Sequence, residues 1–255
     1  MDERPILLIT GASGRVGTAY RQHLAAASGY RLRLNDIKPP ADQQQDDWRL
    51  GDLSDPAFAR DLLQGVDSVL HLGADSRPEA DFYASLLDNN IKATYNIFAA
   101  AAAAGARRVV YASSVQTMLG YGPGVQLYVD QQVQPLNMYG VSKCFGEATA
   151  AAFHAMHGLS AISVRIGWVT NAAELRAGVL VALSEISRAV TEPDLCHLFD
   201  CCLRAKEVGY AIVQGVSNNR FPYLNLAATR ALIGYQPQDD AFALAGVITQ
   251  GWEDR

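Results

Sequence analysis

The chain has 255 residues, 49% hydrophobic and 18% charged, with a formal net charge of −5. That acidic balance offers no general attraction to nucleic acid or to an anionic membrane surface, and no apolar run approaches the ~20 residues that a membrane-spanning helix needs. The length suits one large domain with at most a small appendage.

The first residues, MDERPILLIT, carry two acids before any basic residue and lead straight into a strand pattern, so no secretory signal is expected. Cysteines at 144, 196, 201 and 202 form no disulfide framework in a chain of this length. The expectation is a reduced, cytoplasmic protein.

Residues 5 to 10, PILLIT, are apolar without alternation, the pattern of a strand covered on both faces. Gly11, Gly14 and Gly17 follow in GASGRVG, and a helical pattern runs to about Ala27. Glycines between a strand and a helix allow a tight turn, let the backbone approach a pyrophosphate and let helix and strand pack closely. The helix amino terminus then turns free N–H groups and a positive dipole end toward the phosphates. Arg15 and Val16 lie in the same turn and are candidate cofactor contacts.

The second strand, Tyr30 to Leu34, ends at Asn35, Asp36 and Ile37. A carboxylate at that point accepts hydrogen bonds from the adenosine ribose and repels a 2′-phosphate, so NAD is favoured over NADP. Arg15, Arg33 and Lys38 stand close enough to weaken the preference, and the plainer reading of Asp36 is a solvated turn before Pro39 and Pro40. Residues 37 to 47 read as a surface loop.

Strand three, WRLGDL, places Asp52 and Leu53 at its carboxyl end, where Asp52 can meet the adenine amino group and Leu53 its face. Strand four, Ser68 to Leu72, runs into Gly73, Ala74, Asp75 and Ser76, whose small side chains leave room for a cofactor. A long helix from Asp81 to Gly105 contains Asn90, a further candidate cofactor contact, and the alanine run 99 to 104, a close-packing face. Strand five, Arg108 to Ala112, delivers Ser113 and Ser114 to the same edge of the sheet.

Tyr139 and Lys143 follow, four positions apart in YGVSKCFGE. On a helix that spacing puts both on one face. A phenol titrates near ~10 and is a poor base at neutral pH, but a neighbouring cation favours the phenolate. A Tyr tuned in this way can take a proton from a substrate hydroxyl while hydride leaves the same carbon. The plainer reading is an amphipathic helix that happens to carry both residues.

Strand six, Ser160 to Ile166, places Ile166 at the cofactor edge. Beyond Gly167 a loop to about Gly178, helices near 179–190 and 194–205, a strand near Tyr210 to Gln214 and a last helix near 226–233 read as a small carboxyl-terminal lobe over the cleft. Cys196, His197, Cys201 and Cys202 lack the paired spacing of a structural zinc site. Leu195, Leu198, Phe199, Cys202 and Leu203 fit one helix face instead, so a core helix and no metal are expected. Repeated strand-then-helix units make the fold α/β, a Rossmann-type doubly wound parallel sheet. Residues 1–255 then form a single domain, of which roughly 167–255 is the substrate lobe.

With the glycine triplet, Asp36, Ser114, and Tyr139 with Lys143, the sequence resembles the extended short-chain dehydrogenase/reductase superfamily along its whole length; the Ser precedes the Tyr by 25 residues, as in that family. YASS at 111–114, YGVSKCFGE at 139–147, VRIG at 164–167 and RALIGYQPQD at 230–239 make it similar to the uronate dehydrogenases and the archaeal NAD-dependent glucose-6-phosphate dehydrogenases. HLGADSRPEA at 71–80 and CHLFDCC at 196–202 look like the sugar-phosphate branch.

The resemblance implies NAD as cofactor and oxidation of the anomeric carbon of an anionic hexopyranose to a lactone. It makes Tyr139 the acid/base and gives Ser114 the substrate oxygen. Lys143 would bind the nicotinamide ribose and lower the Tyr pKa, and Ser113 would support the cofactor. Ser76 and Ser114 would contact sugar hydroxyls, and Arg176 would bind the anion. Val115 and Gln116 stand where the family has Asn and His, and Trp168 stands where uronate dehydrogenases have a small Ser. These positions and the Val169 to Pro193 loop would line the sugar pocket, and a uronate, a 6-phosphate or a 6-sulfo sugar fits the changes. The family's habit of pairing subunits through the Tyr-bearing helix and the long helix before it implies a homo-oligomer. A nucleotide-sugar epimerase and a non-catalytic NAD-sensing protein are the alternatives. Only 112 residues follow Lys143, little for a nucleotide diphosphate, and a sensor has no need of all three catalytic groups.

Overall fold

Apolar runs with no polar face must be covered on both sides, and the computed structural model, which describes residues 4–25, 29–38 and 47–247, places them in a parallel sheet between two helical layers. The strands are β1 (Ile6–Thr10), β2 (Arg31–Asp36), β3 (Asp47–Leu50), β4 (Ser68–His71), β5 (Arg108–Ser114), β6 (Ser160–Ile166), β7 (Trp168–Thr170), β8 (Ala189–Thr191) and β9 (Tyr210–Gly215). Seven of them pair in the order β3-β2-β1-β4-β5-β6-β9, while β7 and β8 pair with each other. The direction of winding reverses between β1 and β4, which opens a crevice at their carboxyl ends.

Successive residues of a strand point to opposite faces, and the two cores follow that rule. Leu7, Ile9 and Val110 join one core, with Leu198 and Phe199. Leu8, Val109 and Tyr111 join the other, with Ile97, Phe98 and Phe153. The helices are α1 (Arg15–Ala25), α2 (Pro56–Leu62), α3 (Phe82–Lys92 continuing through Ala93–Ala103), α4 (Met138–His157), α5 (Ala172–Arg176), α6 (Leu183–Ile186), α7 (Glu192–Arg204), α8 (Ala227–Ile233) and α9 (Ala241–Leu244). The first half of α3 is widened: Leu86 N–H reaches the Asp81 carbonyl and Ala93 N–H the Asp88 carbonyl, each five residues back. No helix among the described residues is long and apolar enough to cross a membrane.

The carboxyl-terminal third departs from expectation. The helix expected over residues 179–190 is reduced to the four-residue α6, and Ala189–Thr191 form β8 beside β7, a pairing too short to leave a periodic signal. The strand near 210 does not belong to a lobe, since β9 pairs with β6 as the edge of the main sheet. Helix α7 covers the sheet beside α1, where the Tyr20 hydroxyl donates to Asp200 Oδ1 at 2.8 Å and the Tyr20 and Phe199 rings meet edge-on at 5.4 Å. Leu195, Leu198, Phe199, Cys202 and Leu203 are all buried there, as their helical spacing implied. Residues 26–28 and 39–46, within the expected first helix and surface loop, lie outside the described residues.

Candidate active site

The glycine turn is built for a close approach of backbones. Gly11 has φ +64°, and a Cβ on it would lie 2.8 Å from Gly73 N; a Cβ on Gly17 would collide with the Gly11 carbonyl. Past this turn lies a cleft of about 570 Å³, lined by Gly14, Val16, Asp36, Ile37, Asp52, Leu53, Leu72, Gly73, Ala74 and Ser76 as well as Gly11, Arg15 and Gly17. One oxygen of Asp36 accepts Ser13 N–H at 2.9 Å and the other accepts Ile37 N–H at 2.8 Å. The carboxylate thereby ties the turn to the end of β2, and each oxygen keeps lone pairs for further donors. Asn96 Nδ2, which the sequence did not single out, donates to the carbonyls of Leu53 (2.9 Å) and Ser54 (3.0 Å) and holds that corner.

Two expected contacts are corrected. Asn90 faces away from the cleft: its Oδ1 accepts Asp75 N–H at 2.8 Å, and its Nδ2 donates to the Asp75 carbonyl (3.0 Å) and to Ser142 Oγ (2.9 Å). Its neighbour Asn89 lines the cleft, because adjacent residues of this widened helix point roughly a quarter turn apart. Arg176 is exposed and lies off both cavities of the site. The guanidinium that does line them is that of Arg15, where Nη2 donates to Glu174 at 2.6 Å and Nε to Glu192 at 2.9 Å. The Arg15 hydrogen bond in turn holds Glu174 below the usual carboxylate range.

The cleft opens into a second cavity of about 320 Å³ that shares Arg15, Val16, Leu72, Ala74 and Ser76 with it. Here the sheet edge meets the helix: Ser113 and Ser114 come from the end of β5, Val115 and Gln116 from the turn after it, Tyr139 and Lys143 from α4, and Ile166 and Trp168 from the end of β6 and from β7. Val169, the first residue of the loop expected to line the sugar pocket, also lines it, as do Pro78 and Gly167, which the sequence did not single out. Asn137 caps α4 by accepting Gly140 N–H at 2.8 Å, and its Nδ2 donates to Gln116 Oε1 at 2.9 Å. One cap residue therefore starts the catalytic helix and fixes a side chain of the pocket. Trp168 Nε1 is buried with no partner, an unsatisfied donor in the cavity wall. A wider apolar hollow of about 790 Å³, beside residues 123–126 and 220–223, contains none of these groups.

Lys143 Nζ lies 5.6 Å from the centroid of the Tyr139 ring. The pair is thus assembled as its spacing implied, but its electrostatics are the reverse of expectation. Burial raises the Tyr139 phenol above its ordinary value, with Asp75 adding to the rise and the Ser114 hydroxyl opposing it. Burial brings Lys143 down to about 7. A dry chamber disfavours both charged forms.

Residues 7–173 match the NAD dependent epimerase/dehydratase family. The chain is 35% identical to NAD-dependent glucose-6-phosphate dehydrogenase of Haloferax volcanii, over 94% of this chain and 95% of that enzyme. It is 31% identical to uronate dehydrogenase of Pseudomonas putida, over 92% of this chain and 84% of that enzyme. A uronate dehydrogenase variant from Agrobacterium tumefaciens, solved with NAD, superposes with a TM-score of 0.81 at 29% identity, covering 96% of this chain and 89% of that one. The glycine cradle and the paired Asp36 fit that cofactor, and NAD is the cofactor here. In its match over residues 7–173 and in its near full-length relatives, the chain belongs to the NAD dependent epimerase/dehydratase family.

Proposed function

We propose that this oxidoreductase is an NAD-dependent sugar 1-dehydrogenase that oxidises the anomeric CH–OH of an anionic hexopyranose to its lactone. The observation that carries the reading is the junction of the two cavities, where Ser114, Tyr139 and Lys143 stand on the wall of a small pocket continuous with the cofactor cleft. The named dehydrogenases for glucose 6-phosphate and uronates, both anionic sugars, support it. When bound, NAD supplies the hydride acceptor.

The chain's residues do the rest. Ser114 and Ser76 orient the sugar hydroxyls, and Tyr139 as phenolate takes the proton from the anomeric hydroxyl. Asp36 holds the adenosine ribose. The unsatisfied Trp168 Nε1–H and the anchored Gln116 offer hydrogen bonds to the ring. Arg15 takes the anionic end in place of Arg176, exchanging a glutamate partner for the substrate's anion. From residue 167 onward, Gly167, Trp168 and Val169 line the sugar pocket, and Glu174 of α5 and Glu192 of α7 hold Arg15 in place.

The test is NADH formation from NAD with glucuronate, galacturonate, glucose 6-phosphate, sulfoquinovose and neutral glucose, repeated with NADP. One anionic sugar should exceed glucose in kcat/KM by about tenfold or more, the worth of one charge-assisted hydrogen bond, and NADP should be slower because Asp36 repels its 2′-phosphate. No turnover of any sugar by NAD-loaded protein would sink the reading. A homo-oligomer through α3 and α4 is part of the same proposal, since Tyr83, Tyr95, Met138, Val141 and Met156 leave apolar surface exposed on these helices. Light scattering should give a mass at least twice that of one chain; a monomer at high concentration would count against it.

A further inference from the structure

Beneath Lys143 lies an aromatic side chain that takes no part in the proton and hydride transfers. Tyr111 on β5 is buried, and its ring centroid is 5.1 Å from Lys143 Nζ. Residue 146, just short of one turn past the lysine on α4, makes room for it by being glycine, since a Cβ there would overlap the Tyr111 ring. Phe98 and His71 close the other sides, with ring centroids at 6.2 and 5.8 Å. The Tyr111 hydroxyl faces Thr94 without a well-formed hydrogen bond, so the ring is held by packing.

The groups that face the lysine are few. His71 on β4 is neutral, and its tautomer follows from its neighbours. Thr10 Oγ1 accepts Leu72 N–H and Gly73 N–H, both at 3.1 Å, so it donates its own proton to His71 Nδ1 at 2.7 Å. That leaves the ring proton on Nε2, 3.4 Å from Thr94 Oγ1. Burial and Lys143 hold the imidazole down at about 3, so it adds no charge. Glu147, four residues after the lysine, is taken by Arg165 of β6 at 2.9 Å and by Ser113 at 2.7 Å. Cys144 is pushed up to about 11 and stays a thiol. Asp75, beyond β4, is paired with Arg77 at 2.6 Å. Helix α3 contributes the neutral Asn90 and Thr94, and Tyr210 of β9 donates to the Glu147 carbonyl at 3.2 Å. The ammonium is met by two ring faces, those of Tyr111 and Tyr139.

We propose that Tyr111 is a positioning residue for the reaction: its ring face keeps the Lys143 ammonium charged and seated beside Tyr139. The inference rests on the reading of Lys143 as partner of a Tyr139 phenolate. Lysine and phenol share their protons as a coupled pair. Once the pair has lost one proton, the other sits either on the phenol, beside a neutral amine, or on the amine, beside a phenolate. Only the second form contains the base. A desolvated cation gains from an aromatic face, so Tyr111 favours the productive form.

The chain has four lysines, at 38, 92, 143 and 206, so side-chain nitrogen NMR of isotope-labelled protein can follow Lys143 directly, with Lys143→Arg identifying its signal. Tyr111→Phe should leave the Lys143 titration midpoint unchanged. Mono-, di- and trifluorinated phenylalanines at 111, which keep the shape and deplete the ring face, should lower it stepwise by about one pH unit in all, and Tyr111→Leu at least as far. At neutral pH, turnover should fall in step by up to about tenfold. A midpoint that stays put across the fluorinated series, in proteins with the wild-type melting temperature, would overturn the proposal. A midpoint that follows the ring in a protein turning over no sugar supports it and counts against the sugar reading alone.

Discussion

Tyr139→Phe is expected to lower kcat by about 100- to 10,000-fold, the contribution of a positioned general base, with NAD affinity and melting temperature close to wild type. The substitution removes one oxygen and keeps the ring. Tyr139 is 7% exposed, and the face it presents to Lys143 at 5.6 Å survives in phenylalanine. What is lost is the atom that receives the proton. The pH profile carries the same information. The active form of Tyr139 is the phenolate, and burial raises the phenol's pKa, so the fraction of base falls about tenfold for each pH unit below it. Sugar oxidation by the wild type should therefore rise with pH from neutrality upward, and the variant should lose that rise. Retention of full turnover by a Tyr139→Phe protein that binds NAD normally would remove Tyr139 from the chemistry.

Breaking the Glu147–Arg165 pair should have the largest effect on stability. Arg165 Nε and Nη2 each donate to one Glu147 oxygen at 2.9 Å, and the side chains are 2% and 6% exposed. Ser113 Oγ donates to the same carboxylate at 2.7 Å. Removing one partner leaves a buried charge without compensation, which costs about 3–5 kcal/mol. Arg165→Met should therefore melt roughly 6–20 °C below the wild type. The double variant Glu147→Met/Arg165→Met should recover most of the loss, because replacing both charges removes the desolvation cost along with the attraction. Thermal unfolding of the three proteins separates the cases: a double variant no better than the single one would mean that the pair is held by shape and not by charge. The pair also joins α4, β5 and β6 behind Ser114. A folded single variant should accordingly lose turnover as well as stability.

The amino-acid sequence by itself determined what depends on neighbours along the chain. The apolar stretches 6–9, 69–70 and 109–112 lie in buried parallel strands because they offer no polar face. GASGRVG became the cofactor turn because positive φ at residue 11 and the contacts at 11 and 17 admit only glycine. Tyr139 and Lys143 came together because an i,i+4 spacing on α4 leaves them no other choice, and Ser114 joined them because strand ends share one edge of the sheet. Tertiary structure decided what depends on distant partners. It paired β9 with β6 and β7 with β8, and it turned Asn90 away from the cleft that Asn89 lines. It bound Arg15 to Glu174 and Glu192, 159 and 177 residues away, and left Arg176 outside. It also set the sign of the Tyr139 shift. A spacing can place a cation beside a phenol, but the packing of β4, β5 and α3 around them decides how dry the chamber is, and the loss of water raises the phenol and lowers the lysine.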